Sequence, residues 1–306
     1  MKMKITATVT DGHRDERRQL LLAAALIASL TWITSDTCRA STPHNNGVKQ
    51  ASVQHSCEDF AQIREGAYLY VNNMWGAYQQ PKKAGWFQCL DRQVADSGKV
   101  RYLFTWHWPY VEQPLQAPFG FPGVSFGKNP NFPGPSTTSQ LPAKVDAVKK
   151  ISATADTLIS TSGAYDEFYN IFYVSNTDTA NIASSVTTEL AVVIRHHEQS
   201  GATGFPFQQH VKDIVIGDQR FGLYVNPAFT PPKATPRVLA FLVPERMPLR
   251  GTVDIKAITR ALIAQHYVHE TDYIANVDLG VETYNSPEGS NGRMEIGNFS
   301  VAIEPD

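Results

Sequence analysis

Cysteine is scarce in this chain. Its 306 residues include three, Cys38, Cys57 and Cys89. That is too few for a disulfide-framework scaffold or a multi-cysteine metal centre. Charge of one sign is lacking too: 27 Lys and Arg stand against 29 Asp and Glu, a net charge of −2, with no basic block. A nucleic-acid partner is therefore not expected, because phosphate binding needs clustered cations. Long apolar runs are also missing. The one candidate, Leu20 to Ile33, is short for a bilayer span, and nothing after it could cross a membrane. There is no Gly-x-Ser-x-Gly elbow and no glycine-rich phosphate cradle. His196, His197 and His210 do not suggest a metal site, since adjacent histidines on a strand point to opposite faces. No metal or cofactor is expected.

What is present begins with an export-type N-terminus. Lys2, Lys4, Arg14, Arg17 and Arg18 precede the apolar stretch, and small and polar residues follow it. Residues 1–40 read as a secretion signal with Ala40-Ser41 as the cleavage point, an uncleaved anchor being the alternative. Residues 41–56 read as a flexible polar lead-in and 57–306 as one domain. Removal of the signal takes Cys38 with it. Cys57 and Cys89 remain, an even pair suited to one disulfide in an oxidising compartment, against two buried thiols. The implied location is extracellular, or periplasmic.

The hydrophobic fraction of 42% supports a sizeable core. From Tyr68 onward short β-rich runs alternate with Gly, Pro and Asn turns. Strands are expected at Tyr68–Asn72, Val100–Trp108, Ala147–Ala155, Glu167–Val174, Thr188–Arg195, Lys212–Ile216, Phe221–Val225, Val238–Val243, Val277–Tyr284 and Gly297–Glu304. This density of strands predicts an all-β sandwich or barrel. Asp254 can cap a helix, and Ile255, Ile258, Leu262 and Gln265 share a helical face, so one packed helix is expected over 254–267. Residues 109–144, rich in Pro, Gly and Phe, read as long rim loops.

Glu189 and Glu282 stand out within this pattern. Each is a lone carboxylate in an apolar strand run, Thr-Thr-Glu189-Leu-Ala-Val-Val-Ile and Asp-Leu-Gly-Val-Glu282-Thr-Tyr. Desolvating a charge is costly, so a strand keeps such a group where something compensates for it. Alternation puts Glu189, Ala191, Val193 and Arg195 on one face, with Leu190, Val192, Ile194 and His196 on the other. Likewise Asp278, Gly280, Glu282 and Tyr284 share a face. Two carboxylates on one sheet face could cleave a glycosidic bond, one as nucleophile and one as proton donor. The blander reading makes each a solvated residue on an outer face. Glu288 and Glu295 are the reserve acids. Tryptophans at 75, 86, 106 and 108 could stack on sugar rings or fill the core.

Tyr68-Leu-Tyr-Val-Asn-Asn73-Met-Trp75-Gly76, followed by Gln88-Cys89, resembles the opening of glycoside hydrolase family 12. The collinear series Trp106-His-Trp108-Pro, Phe126-Gly-Lys-Asn-Pro130, Leu141-Pro142, Glu167-Phe-Tyr-Asn-Ile-Phe172, Thr188-Glu189-Leu190, Ile216-Gly217 through Tyr224 and Gly280-Val-Glu282 resembles the rest, over about 57–304. The resemblance implies a β-jelly roll of two curved antiparallel sheets with a concave cleft. It also implies a secreted, monomeric, endo-acting retaining β-1,4-glucanase of the cellulase or xyloglucanase type, with a β-glucan polysaccharide as its partner. It makes Glu189 the nucleophile, Glu282 the acid/base, and Cys57–Cys89 a disulfide. Asn73, Trp75, Trp106, Trp108 and Asn170 become substrate-side residues. Two departures stand out: Val193 replaces a tryptophan, and Asn170 replaces an aspartate beside the nucleophile. A non-catalytic glucan-binding relative is the alternative.

Overall fold

The computed structural model describes residues 53–77, 85–112, 118–178, 181–202, 209–226 and 238–306. The expected leader, Cys38 and the lead-in up to residue 52 lie outside these residues.

The described strands are β1 (Val53–Ser56), β2 (Gln62–Glu65), β3 (Tyr68–Val71), β4 (Phe87–Val94), β5 (Val100–Trp108), β6 (Gly123–Gly127), β7 (Ala143–Lys144), β8 (Val148–Thr161), β9 (Tyr165–Val174), β10 (Val186–His197), β11 (His210–Ile216), β12 (Gln219–Asn226), β13 (Val238–Pro244), β14 (Val253–Asp254), β15 (Tyr273–Ile274), β16 (Asn276–Thr283) and β17 (Ser290–Pro305). They form two sheets. The smaller runs β1-β4-β5-β17-β8-β14. The larger runs β11-β12-β13-β10-β9-β16-β6-β3-β2, with β15 joined to β9 and β7 joined to β15. The protein is an all-β jelly-roll sandwich with a single α-helix among the described residues. Pairing is antiparallel except between β10 and β13, which run parallel. The expectation of purely antiparallel sheets is corrected there: the β11–β12 hairpin intervenes in sequence, so β13 returns in the direction of β10.

One core joins the sheets. Leu90, Phe104, Trp106, Ile151, Met294 and Ile296 come from the smaller sheet, and Tyr169, Ile171, Leu190, Val192 and Leu279 from the larger. Strand alternation accounts for this directly, since every second residue of β9 and β10 turns inward. The helix α1 (Ile255–Ile263) starts where expected, with Asp254 Oδ1 accepting from the Ala257 amide at 2.9 Å. It ends four residues earlier than the periodicity implied. His266 adopts φ +61°, and the Tyr267 amide bonds back to the Leu262 carbonyl, which closes the helix off.

Seven strands escaped the sequence reading: β1, β2, β4, β6, β7, β14 and β15. β1 pairs with β4 inside what was expected to be lead-in, so the fold begins by Val53. β6 lies within the expected rim loops and pairs with both β3 and β16. Its neighbourhood, residues 118–130, is buried throughout. A sequence of Gly, Pro, Phe and Asn looks loop-like, but a strand buried on both faces has no alternation to reveal it.

Cys57 and Cys89 form a disulfide that ties the turn after β1 to β4. In the chain-entropy picture, closing this loop contributes about 3 kcal/mol. Replacing both cysteines with serine is expected to lower the unfolding free energy by about that amount, read by urea titration. An unchanged midpoint would show that the link does not constrain the unfolded chain. His55 Nε2 lies 3.2 Å from the Cys57 sulfur, but both sulfurs are spent in the disulfide and offer no thiolate to a metal.

Candidate active site

The larger sheet turns a second face away from the core. On it lie Glu189, Ala191 and Val193 from β10, Asp166, Phe168 and Asn170 from β9, and Asp278, Gly280 and Glu282 from β16. Phe121, Phe168, Ala191, Val193 and Phe241 form an apolar cluster there, with Trp75, Tyr224, Leu239 and Val243 packed against it. Glu189, Glu282 and Trp75 are partly exposed, while most of their surroundings are buried. Reachable carboxylates in an otherwise dry setting are what substrate chemistry needs.

Each carboxylate has its own support. Asn170 Nδ2 donates to Glu189 Oε1 at 3.1 Å, so the amide holds the nucleophile candidate in place. Directly opposite Asn170, on β16, stands the buried Asp278, which accepts from Asn129 Nδ2 at 2.6 Å. Burial raises the Asp278 pKa to about 6, against the opposing pull of hydrogen bonds from Asn276, Ser125 and Asn129. Glu282 sits in a stronger field. Its pKa is pushed well above the usual carboxylate range, first by burial and then by the charge of Asp166; hydrogen bonds from Tyr284 and Trp75 act the other way. A carboxyl held protonated near neutral pH is equipped to act as a general acid.

The register measures the spacing of the two glutamates along the central strand. Glu189 lies opposite Phe172 and Glu282 opposite Asp166, six positions apart on β9. At the usual strand rise that offset is about 20 Å of extended backbone. Side-chain reach and sheet twist do not close an offset of that size, so the register sets the two glutamates farther apart than a shared bond requires.

A β-bulge changes the facing read from simple alternation. The β9–β10 register shifts between Val193 and Arg195. Arg195 is thereby turned toward Glu167 on the opposite face, at 2.6 Å, and His196 comes opposite Asp166. His210 pairs instead with Asp213 on its own strand.

The expected sugar contacts divide. Trp75 reaches Glu282 from the segment after β3. Asn73 is nearly buried, and its Oδ1 accepts from the Trp75 amide at 3.2 Å, so it shapes the turn that presents Trp75. Trp106 and Trp108 are corrected. Both are fully buried core residues of the smaller sheet, Trp108 stacking on Phe119 with ring centroids 5.0 Å apart. The inward positions of β5 are 102, 104, 106 and 108, so alternation sends both indoles into the core. Val193 is fully buried beneath the apolar cluster. Of the reserve acids, Glu295 belongs to the smaller sheet, where it pairs with Arg101 at 2.9 Å; Glu288 is an exposed turn residue.

Asp166, Tyr284 and Asp278 were missed as members of this site. Asp166 shares the parity of Phe168 and Asn170, so extending the β9 reading by one residue would have placed it on the Glu282 side.

No family profile and no curated relative matches the sequence. Solved structures do match. A family 12 xyloglucanase from Bacillus licheniformis superposes with a TM-score of 0.66 at 19% identity, over 82% of this chain and 100% of that one. An endoglucanase from Rhodothermus marinus gives 0.62 at 18%, over 83% and 100%. Endoglucanase 3 of family 12 from Trichoderma harzianum gives 0.62 at 18%, over 82% and 98%. The chain shares the fold of these glycoside hydrolases along almost their whole length.

Proposed function

We propose that the protein is a family 12-type retaining glycoside hydrolase, an endo-acting β-1,4-glucanase of the cellulase or xyloglucanase kind. The observation that supports it most is the shared fold, which carries two partly exposed glutamates with unlike environments on one sheet face. Glu189, steadied by the Asn170 amide, attacks the anomeric carbon and forms a glycosyl-enzyme. Glu282, held protonated, gives its proton to the leaving oxygen and afterwards takes one from water. Trp75 offers an apolar ring to a sugar face, and Asn73 holds the turn that carries it. The buried Val193 leaves less aromatic surface than a tryptophan there would, which bears on substrate choice. We read the protein as exported and monomeric, the disulfide being consistent with an oxidising compartment.

A reducing-sugar assay on cellulose, mixed-linkage glucan and xyloglucan tests this reading. Turnover on at least one polymer is expected. Binding without turnover on all three would support the non-catalytic glucan-binding alternative. A substrate-bound crystal structure tests the geometry: the covalent route calls for carboxylates about 5–5.5 Å apart, closer than the register here places them, and a separation well over 9 Å in the complex is incompatible with it.

A further inference from the structure

The Tyr284 hydroxyl contacts two carboxyl groups at once, Glu282 Oε2 at 2.8 Å and Asp166 Oδ1 at 3.0 Å. A phenol has one proton to donate. It can serve one of these oxygens; the other contact is attractive only if that carboxyl is protonated and donates to the phenol oxygen. Asp166 and Glu282 are direct cross-strand partners on β9 and β16, so the three groups form a closed trio. Asp166 is fully buried, and its Oδ2 has no hydrogen-bond partner among the described residues. A lone charge in that position is costly.

We propose that Asp166 is a positioning residue that shares one proton with Glu282 through the Tyr284 hydroxyl, setting the protonation state of Glu282. The proposal rests on Glu282 being the acid/base of the reading above. Two arrangements alternate. In one, Glu282 carries the proton and Tyr284 donates to the Asp166 carboxylate. In the other, Asp166 donates to the phenol oxygen and Tyr284 donates to the Glu282 carboxylate. The exchange moves two protons in step, makes and breaks only O–H bonds, and leaves the net charge of the trio unchanged. Asp166 never touches substrate, because it has no exposed surface.

The electrostatics agree with this geometry. Burial, opposed by the Tyr284 hydrogen bond, raises the Asp166 pKa to about 8. Other groups among the described residues lie around the trio. His196 lies opposite Asp166 on β10, its own pKa lowered chiefly by burial. Trp75 donates to Glu282, and the Glu167–Arg195 pair occupies the other face of β9. A folded-state pKa raised above the unfolded value near 4 means that the folded protein holds the proton more tightly. Stability contributed this way is full below pH 4 and is lost as pH rises toward 8.

The test is Asp166→Asn, which keeps the shape and removes the charge. Carboxyl ¹³C NMR of the full protein is expected to show the Glu282 titration midpoint falling by at least one unit. The basic limb of kcat/KM on β-glucan should fall with it, leaving about tenfold less activity above both midpoints, with KM little changed. The loss of thermal stability between pH 4 and 8 should be smaller than in the parent. If the variant does not fold, Tyr284→Phe breaks the same bridge; it removes a hydrogen bond that favours ionised Glu282 and leaves the Asp166 charge in place, so the midpoint should rise. An unmoved Glu282 midpoint in a folded variant overturns the proposal. A moved midpoint in a protein that never turns over glucan upholds the proton sharing and sinks the glycosidase reading instead.

Discussion

In a Glu189→Ala variant, hydrolysis of every glycoside is expected to fall by at least about 10³-fold, because no covalent intermediate can form. The loss should not depend on the leaving group, since the missing bond is at the anomeric carbon. Added azide should restore part of the activity and give a glycosyl azide of inverted configuration, because a small anion fits the vacated space. NMR of the product reads that configuration directly. In the parent the Asn170 amide donates to Glu189 Oε1 at 3.1 Å and holds that carboxylate in place. Near-normal turnover in Glu189→Ala would remove the residue from the mechanism.

How the site was legible follows from parity. Glu189 and Glu282 were singled out because a charge in an alternating apolar strand is conspicuous, and the structure puts both on the same outward face. The partners that tune them were harder to see. Asp278 sits beside Gly280 and Glu282 on one strand, yet its role depends on Asn129 from a segment remote in sequence. Tyr284 matters only because β16 lies against β9 in a register that sets Glu282 opposite Asp166. No local pattern encodes that register. The bulge near Ile194 is likewise invisible to a period of two, so Arg195 and His196 were assigned to the wrong faces. Trp106 and Trp108 illustrate the reverse error. A tryptophan-rich strand suits a sugar platform or a core equally well, and which one applies depends on the sheet to which the strand belongs.

Gly280 shows how tightly the second carboxylate is seated. A Cβ built there would lie 2.7 Å from Phe121 Cζ and 2.8 Å from the Pro122 carbonyl oxygen. The ring can shift, but the backbone carbonyl cannot move without disturbing the Val281 amide that bonds to it. The close approach lets Phe121 stack on Phe168, centroids 4.8 Å apart, over the face between the two glutamates. Glycine at this position therefore serves the close packing of Phe121 beside the strand that carries Glu282, rather than a backbone turn.

The Glu282→Ala variant should behave unlike Glu189→Ala. Polysaccharide hydrolysis is expected to fall by about 10²–10⁴-fold, the usual worth of a positioned general acid, because an alkoxide leaving group needs a proton. An aryl glycoside with a good leaving group needs none, so its glycosylation step should stay fast. Hydrolysis of the glycosyl-enzyme would then become slow for want of a base, and a burst of phenol should precede a low steady rate. The structural basis is the field on Glu282. Burial and the neighbouring Asp166 favour its protonated form, which is the form that the first step consumes. In the parent the basic limb of the pH profile should report loss of that proton; in Glu282→Ala that limb should vanish while aryl glycosides are still glycosylated. If the leaving-group dependence appears in Glu189→Ala and is absent here, the two roles are reversed. If neither variant loses activity, the chemistry lies elsewhere than on this face of the sheet.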